Sequence, residues 1–242
     1  MIRLDNLTRR FGSFTAVDAV TASIPAGEIT ALLGPNGAGK TTTLNMLTTL
    51  LEPSDGTAQV AGCDIRTDGP GVRRAIGYVP EHGTVYEGLS ADEYLELAGR
   101  VRGFDAPTIR QLATPLLERF DVAAARNQRL GTYSKGMVRK ILVTAALLHR
   151  PPVLFLDEPM DGLDVRSQKV LADLLAELAQ GGTCIVYSSH VLQQVEEVCS
   201  RVLLIHKGRL RWEGQLQDLQ AAHAGAGLRD IFLELTADGP QP

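Results

Sequence analysis

The sequence predicts an α/β fold: a mostly parallel sheet with helices on both faces, a β-rich N-terminal segment, and a helical subdomain inserted between strands. Three observations point to it. An apolar run at residues 28–33 leads through a Gly-rich loop into helical character over residues 42–51. Strand patterns at residues 153–156, 183–187 and 202–205 alternate with helix, which argues for a parallel sheet covered on both faces. Between the two strand regions, residues 89–150 change to helical character. At 242 residues the chain is long enough to bury such a core.

Taken in order, residues 1–27 read as β structure: 1–4, then 14–24 with loose alternation, closed by a turn at Pro25-Ala26-Gly27. After the Gly-rich unit, Pro53-Ser54-Asp55-Gly56 is a turn signal and residues 57–61 suit a short strand. Asp68-Gly69-Pro70-Gly71 breaks the chain, and residues 75–79 read as another strand, stopped by Pro80. Ser90 and Glu93 have the spacing of a capping box, in which each side chain serves an orphan N–H of the helix start. Behind them Tyr94, Leu97, Ala98 and Val101 recur at helical spacing. Ile109, Leu112, Leu116 and Phe120 form a second stripe, with a kink expected at Pro115. Ser134 opens a third helix carrying Ile141, Leu142, Ala145 and Leu148, and residues 165–178 carry a fourth. The tail shows a short strand pattern at residues 231–235 and is expected to fray at Asp238-Gly239-Pro240.

Composition narrows the function classes. Net charge is −4 with no strong basic run, so nucleic acid is not an expected partner. Cys63, Cys184 and Cys199 are odd in number and widely spaced, and read as free thiols in a reducing compartment. No uncharged apolar stretch approaches the ~18 residues of a membrane span, and the N-terminus lacks a leader's apolar run. Any work at a membrane is therefore expected to go through a partner.

The chemistry begins at Gly34-Pro35-Asn36-Gly37-Ala38-Gly39-Lys40-Thr41-Thr42, which reads G-x-x-x-x-G-K-[ST], the P-loop pattern. Glycines let successive backbone N–H groups point into one hollow, and the following helix adds its positive end. Lys40 supplies a point charge for the β- and γ-phosphates, and the Thr41 hydroxyl suits Mg²⁺. The second constellation is an apolar run at residues 153–156 ending in Asp157 and Glu158, which suits a Walker B element. A strand end beside the P-loop puts Asp157 near Mg²⁺ and Glu158 where it can orient or deprotonate a water.

The ordered set, from Phe11 to His190, resembles the nucleotide-binding domain of an ABC transporter. The resemblance implies a P-loop (RecA-like) core with an N-terminal antiparallel β subdomain, in one ATPase domain over residues 1–242. Within it, residues 1–88 and 150–213 form the catalytic core, 89–149 the helical subdomain, and 214–242 a C-terminal extension. Phe11 falls where the family stacks an aromatic on adenine, with Phe14 the alternative. Gly77-Tyr78-Val79-Pro80-Glu81 resembles the Q-loop, whose usual Gln contacts Mg²⁺ and the attacking water. Glu81 stands in its place; a carboxylate still ligates Mg²⁺ but adds negative charge near the γ-phosphate. Tyr133-Ser134-Lys135-Gly136-Met137 resembles the signature motif L-S-G-G-Q, keeping Ser134 and Gly136 while Lys135 and Met137 depart from it. The 159–164 segment resembles the D-loop and ends at Asp164, and His190 after Ser188-Ser189 matches the switch histidine.

The resemblance further implies a dimer that sandwiches two ATPs head to tail, each P-loop ATP completed by Ser134 and Gly136 of the other subunit. Lys40 and Mg²⁺ would neutralise phosphoryl charge, Glu158 would act as base or water orienter, and His190 would hold the γ-phosphate. Expected partners are a second ATP-binding subunit and a separate transmembrane permease, docked near Glu81 and residues 82–110, which places the chain at the cytoplasmic face of the membrane. The tail at residues 229–235 resembles that of ABC-2 exporters. A soluble ABC ATPase acting on nucleic acid or ribosomes would show long coiled coils or two cassettes. A binding-only domain would lack Lys40, Glu158 or His190.

Overall fold

The computed structural model describes residues 1–237. It opens with β1 (Ile2–Phe11) and β2 (Phe14–Ile24), then β3 (Ile29–Leu33) feeds the Gly-rich loop into α1 (Lys40–Leu47). β4 (Asp55–Val60), β5 (Cys63–Asp64), α2 (Gly69–Ala75) and β6 (Ile76–Val79) follow. Three helices come next: α3 (Ala91–Arg100), α4 (Ala106–Arg119) and α5 (Lys135–Leu147). Alternation then resumes with β7 (Val153–Asp157), α6 (Val165–Gln180), β8 (Cys184–Ser188), α7 (Leu192–Val198) and β9 (Arg201–His206). β10 (Arg209–Gln215), α8 (Leu216–Ala222) and α9 (Leu228–Thr236) end the described chain.

The strands form two sheets. β2, β1, β4 and β5 make an antiparallel four-stranded sheet. The second has the order β10-β9-β3-β8-β7-β6 and is parallel except for its β10 edge. Every residue of β3, β7 and β8 is buried, as befits strands covered on both faces. Their side chains alternate between two cores. Leu32, Phe155 and Val186 pack with the β1–β2 sheet and α1, whereas Leu33, Leu156 and Tyr187 pack with the α3–α5 helices and α6. Register positions the site: Leu32 pairs with Ser188, and Ser188 with Asp157. The Gly-rich loop, the segment 188–190 and the carboxylates 157–158 therefore leave one sheet edge together, at the carboxyl ends of adjacent parallel strands where α/β proteins bind ligands.

Two local expectations need correction, and two helical stripes gain a burial pattern. Residues 69–75 form α2 where a chain break is expected, because Asp68 accepts from Gly71 N–H at 2.9 Å as N-cap and Pro70 sits in the first turn, which needs no N–H partner. The tail at residues 231–235 is helix α9 and not strand; Leu228 and Ile231 are buried three residues apart, a helical and not an alternating interval. In α3 the buried face is Ala91, Leu95 and Gly99. The stripe Tyr94, Leu97, Ala98 and Val101 borders an outer groove, where Tyr94 and Ala98 also pack against the core and Val101 is 81% exposed. In α4, Ile109, Ala113 and Leu117 are buried while Leu112 and Leu116 are half-buried. The fraying expected at Asp238-Gly239-Pro240 lies outside the described residues.

Candidate nucleotide site

The Gly-rich loop takes its shape from glycine at a position where another residue would not fit. Gly39 has φ +107, and a Cβ there would stand 2.5 Å from the Ala16 carbonyl oxygen. Its carbonyl accepts from the Thr43 N–H and hydroxyl at 2.8 and 2.9 Å, so the loop closes directly into α1. Lys40 folds back over the loop and donates from Nζ to the carbonyls of Gly34 at 2.6 Å and Pro35 at 3.2 Å.

A cavity of about 660 Å³ opens on this loop. Asn36, Gly37, Ala38, Gly39, Lys40, Thr41 and Thr42 line one side, Glu81, Asp157, Glu158, Ser188 and His190 the other, and Phe11 with Phe14 the outer rim. The two phenylalanines face each other across the β1–β2 turn, in register and exposed, with the Arg9 guanidinium 4.6 Å from the Phe11 ring centre. Of the loop residues expected at the site, Gly34 and Pro35 turn only their carbonyls to Lys40 and do not line the cavity.

The cavity is electrostatically divided. Burial pushes the Asp157 carboxyl above the usual carboxylate range and Glu81 and Glu158 add to the rise, while the neighbouring Ser188 hydroxyl, and less strongly Lys40, oppose it. Asp157 Oδ2 is buried and has no hydrogen-bond partner among the described residues. Burial lowers the Lys40 pKa, and Glu158, Asp157 and Glu81 partly offset it. Glu158 is held by the segment it faces. Its Oε1 accepts from His190 N–H at 2.8 Å and lies 2.8 Å from His190 Nδ1; its Oε2 accepts from the Ser189 hydroxyl at 3.1 Å. The Glu158 backbone is left-handed at φ +48, a conformation costing ~1–3 kcal/mol that clusters at functional sites. Its N–H donates to Ser188 O at 2.9 Å, which holds the turn against that cost.

Ser134, Gly136 and Asp164 do not reach this cavity. Ser134 caps α5, accepting from Met137 N–H at 3.2 Å. Asp164 caps α6, accepting from the Ser167 N–H and hydroxyl at 2.8 and 2.9 Å. The two loops touch each other: a Cβ at Gly136 would stand 2.5 Å from the Gly162 carbonyl oxygen, and Lys135 Nζ donates to Asp161 at 2.6 Å. This pair gives the departure at Lys135 a local partner.

Two residues at the site went unread in the sequence. Ser189 shares its hydroxyl between Glu158 and Gln194. Arg139 is buried and bonds the carbonyls of Pro80 and Glu81. Ser189 adjoins a flagged histidine and could have been found; Arg139 acts across 58 residues and carries no local signal.

The donor set suits a hard cation: carboxylate oxygens of Asp157 and Glu81 and the Thr41 hydroxyl line one cavity, and one buried Asp157 oxygen is unpartnered. Among the described residues no cluster of His, Cys, Asp or Glu could hold a metal alone. Mg²⁺ characteristically binds through one or two carboxylates plus substrate phosphates, which fits that count.

The model of a family described as ABC transporter matches residues 17–161. The ABC transporter ATP-binding protein NatA of Bacillus subtilis is 34% identical over 244 residues, covering 99% of this chain and 99% of that protein. The daunorubicin/doxorubicin resistance ATP-binding protein DrrA of Streptomyces peucetius is 36% identical over 228 residues, covering 94% of this chain and 69% of that protein. Among solved structures, one described as the ATP-binding subunit of an ABC transporter superposes with a TM-score of 0.92 at 32% identity, covering 98% of this chain and all of that one.

Proposed function

The chain belongs to the ABC transporter family, as an ATP-binding subunit, and on that premise we propose that it is the ATP-hydrolysing motor of an exporter, dimerising around two ATPs to drive a separate transmembrane permease. The observation that carries this is the meeting of Lys40, Asp157, Glu158 and His190 in one cavity at the carboxyl edge of the parallel sheet.

ATP binds with its phosphates over the Gly-rich loop and its base toward the Phe11 rim. The loop N–H groups and the α1 N-terminus take up phosphate charge. Lys40, now bonded to Gly34 and Pro35 carbonyls, is placed to exchange those acceptors for phosphate oxygens. Thr41, Asp157 and Glu81 would hold Mg²⁺, which supplies charge neutralisation at the β- and γ-phosphates. Glu158 orients a water or accepts its proton, and its bonds from Ser189 and His190 fix the carboxylate for that work. His190, whose side chain is 68% exposed, can turn to the γ-phosphate and register its loss.

Ser134 and Gly136 lie away from their own chain's cavity, which supports their service to an ATP held by a second copy. ATP then bridges two subunits, and hydrolysis removes the bridging phosphate and loosens the pair. No helix among the described residues is long and apolar enough to cross a membrane. Transport therefore calls for a permease, whose short helix would enter the outer groove between Tyr86, Leu97, Val101 and Leu50. Relatives named for daunorubicin and doxorubicin resistance support the export direction. The test is ATP turnover by wild type and Glu158→Gln. Loss of ~100-fold or more is expected on removing the carboxylate's base or water-orienting role; equal turnover would refute Glu158 as the catalytic carboxylate.

A further inference from the structure

Arg139 stands on α5, five residues after its Ser134 cap, and is only 3% exposed. Its Nη1 donates to the Pro80 carbonyl and its Nη2 to the Glu81 carbonyl, each at 2.7 Å. Burying a guanidinium costs desolvation energy that an apolar side chain of the same size avoids, so packing alone does not account for this residue. What arginine adds is a planar fork in which a separate nitrogen serves each carbonyl at 2.7 Å in a fixed geometry, where a lysine would have to serve both from one nitrogen.

The clamped segment faces two ways. Glu81 lines the nucleotide cavity with Thr41 and Asp157, while Pro80 and His82 line the outer groove with Tyr94. Both carbonyls belong to the exit from β6, and among the described residues no other α5 side chain hydrogen-bonds that exit. We propose that Arg139 is a positioning residue for hydrolysis: by clamping the Pro80 and Glu81 carbonyls to the helix that Ser134 caps, it sets where the Glu81 carboxylate stands in the nucleotide cavity. Because Ser134 and Arg139 share one rigid helix, any displacement of Ser134 moves the clamp, and Glu81 follows. This rests on the functional reading above.

The test compares Arg139→Met, Arg139→Lys, Glu81→Ala and the double variant Arg139→Met/Glu81→Ala in the full chain. In the nucleotide-free protein, the backbone carbonyl 13C resonances of Pro80 and Glu81, which now accept from the guanidinium, are expected to move upfield in Arg139→Met while those of β7 and β8 stay in place. The Mg²⁺ concentration giving half-maximal ATP turnover is expected to rise about 10- to 100-fold, as when a group orienting a metal ligand is lost. ATP binding measured in EDTA should change by less than about threefold, since Glu81 then has no metal to hold. Arg139→Lys should fall between wild type and Arg139→Met in both readouts. In the Glu81→Ala background Arg139→Met should shift the Mg²⁺ dependence no further, because the two residues act in series. An equal shift in both backgrounds, or unmoved carbonyl resonances at Pro80 and Glu81, would overturn the clamp. Wild-type turnover by Glu158→Gln would instead sink the functional reading itself, so the two failures are distinct.

Discussion

Replacing Asp157 with Asn should stabilise the nucleotide-free protein while disabling it. Asp157 is 3% exposed, and its Oδ2 has no hydrogen-bond partner among the described residues. Leaving a buried acceptor unpaired costs ~1–3 kcal/mol, more when it is charged. Asn removes the charge, its burial penalty and its repulsion by Glu81 and Glu158, at the loss of the favourable Ser188 hydroxyl and of attraction to Lys40. A net gain of about 1–2 kcal/mol corresponds to a rise in Tm of about 2–8 °C for a chain of this size. The pH dependence carries the sign. Burial holds the folded Asp157 carboxyl above its unfolded value, so between the two values the folded state binds more protons and stability falls as pH rises. The penalty is complete above the folded pKa and absent below the unfolded value of about 3.9. Calorimetry without nucleotide should therefore show the Asn advantage largest at pH 8 and shrinking toward pH 4. Mg²⁺ and ATP should raise the Tm of wild type and fail to raise that of Asp157→Asn to the same extent, since Asn is a poor ligand for a hard cation. A variant less stable than wild type at pH 8, or a gain independent of pH, would refute the reasoning.

Phe11→Ala should weaken ATP binding about 5- to 150-fold, the loss of ~1–3 kcal/mol of base stacking, with Phe14→Ala having the smaller effect in the same fluorescence titration; the reverse order would assign the base to Phe14. Burial pushes the Cys184 thiol up to about 12 and raises Cys199 as well, so a thiol reagent at pH 8 should label no more than Cys63 in the native protein and all three cysteines after denaturation. Native labelling of Cys184 or Cys199 would contradict their burial.

What the sequence makes legible here is local chemistry. The Gly-rich loop, the Ser90–Glu93 capping box and the all-buried strands β3, β7 and β8 each follow from neighbours within a few residues, and the structure forms them where the residues point. Glycine and proline at residues 69–71 signal a break, yet proline in a first turn and an Asp68 cap are equally a helix start. Helical spacing at Tyr94, Leu97 and Val101 identifies α3 but not which face the core takes, because the outer groove is apolar too. Ile231, Phe232 and Leu233 make a run that strand and helix share, and packing of α9 against α7 decides it. The site shows the same division. Lys40, Asp157, Glu158 and His190 are legible because each ends a recognisable strand or loop, and sheet register then joins them. Arg139 and the left-handed backbone of Glu158 are not legible, since one is a contact across the chain and the other a conformation that non-glycine residues rarely adopt.

The proposed ATP site is completed by two copies of the chain. Glu158→Gln should bind ATP without consuming it, so light scattering on that protein measures the assembled state directly. With saturating ATP and Mg²⁺ the expected mass is twice the 26.1 kDa of the chain, reverting to one copy when nucleotide is removed. A strict monomer under saturating nucleotide would contradict the two-copy site.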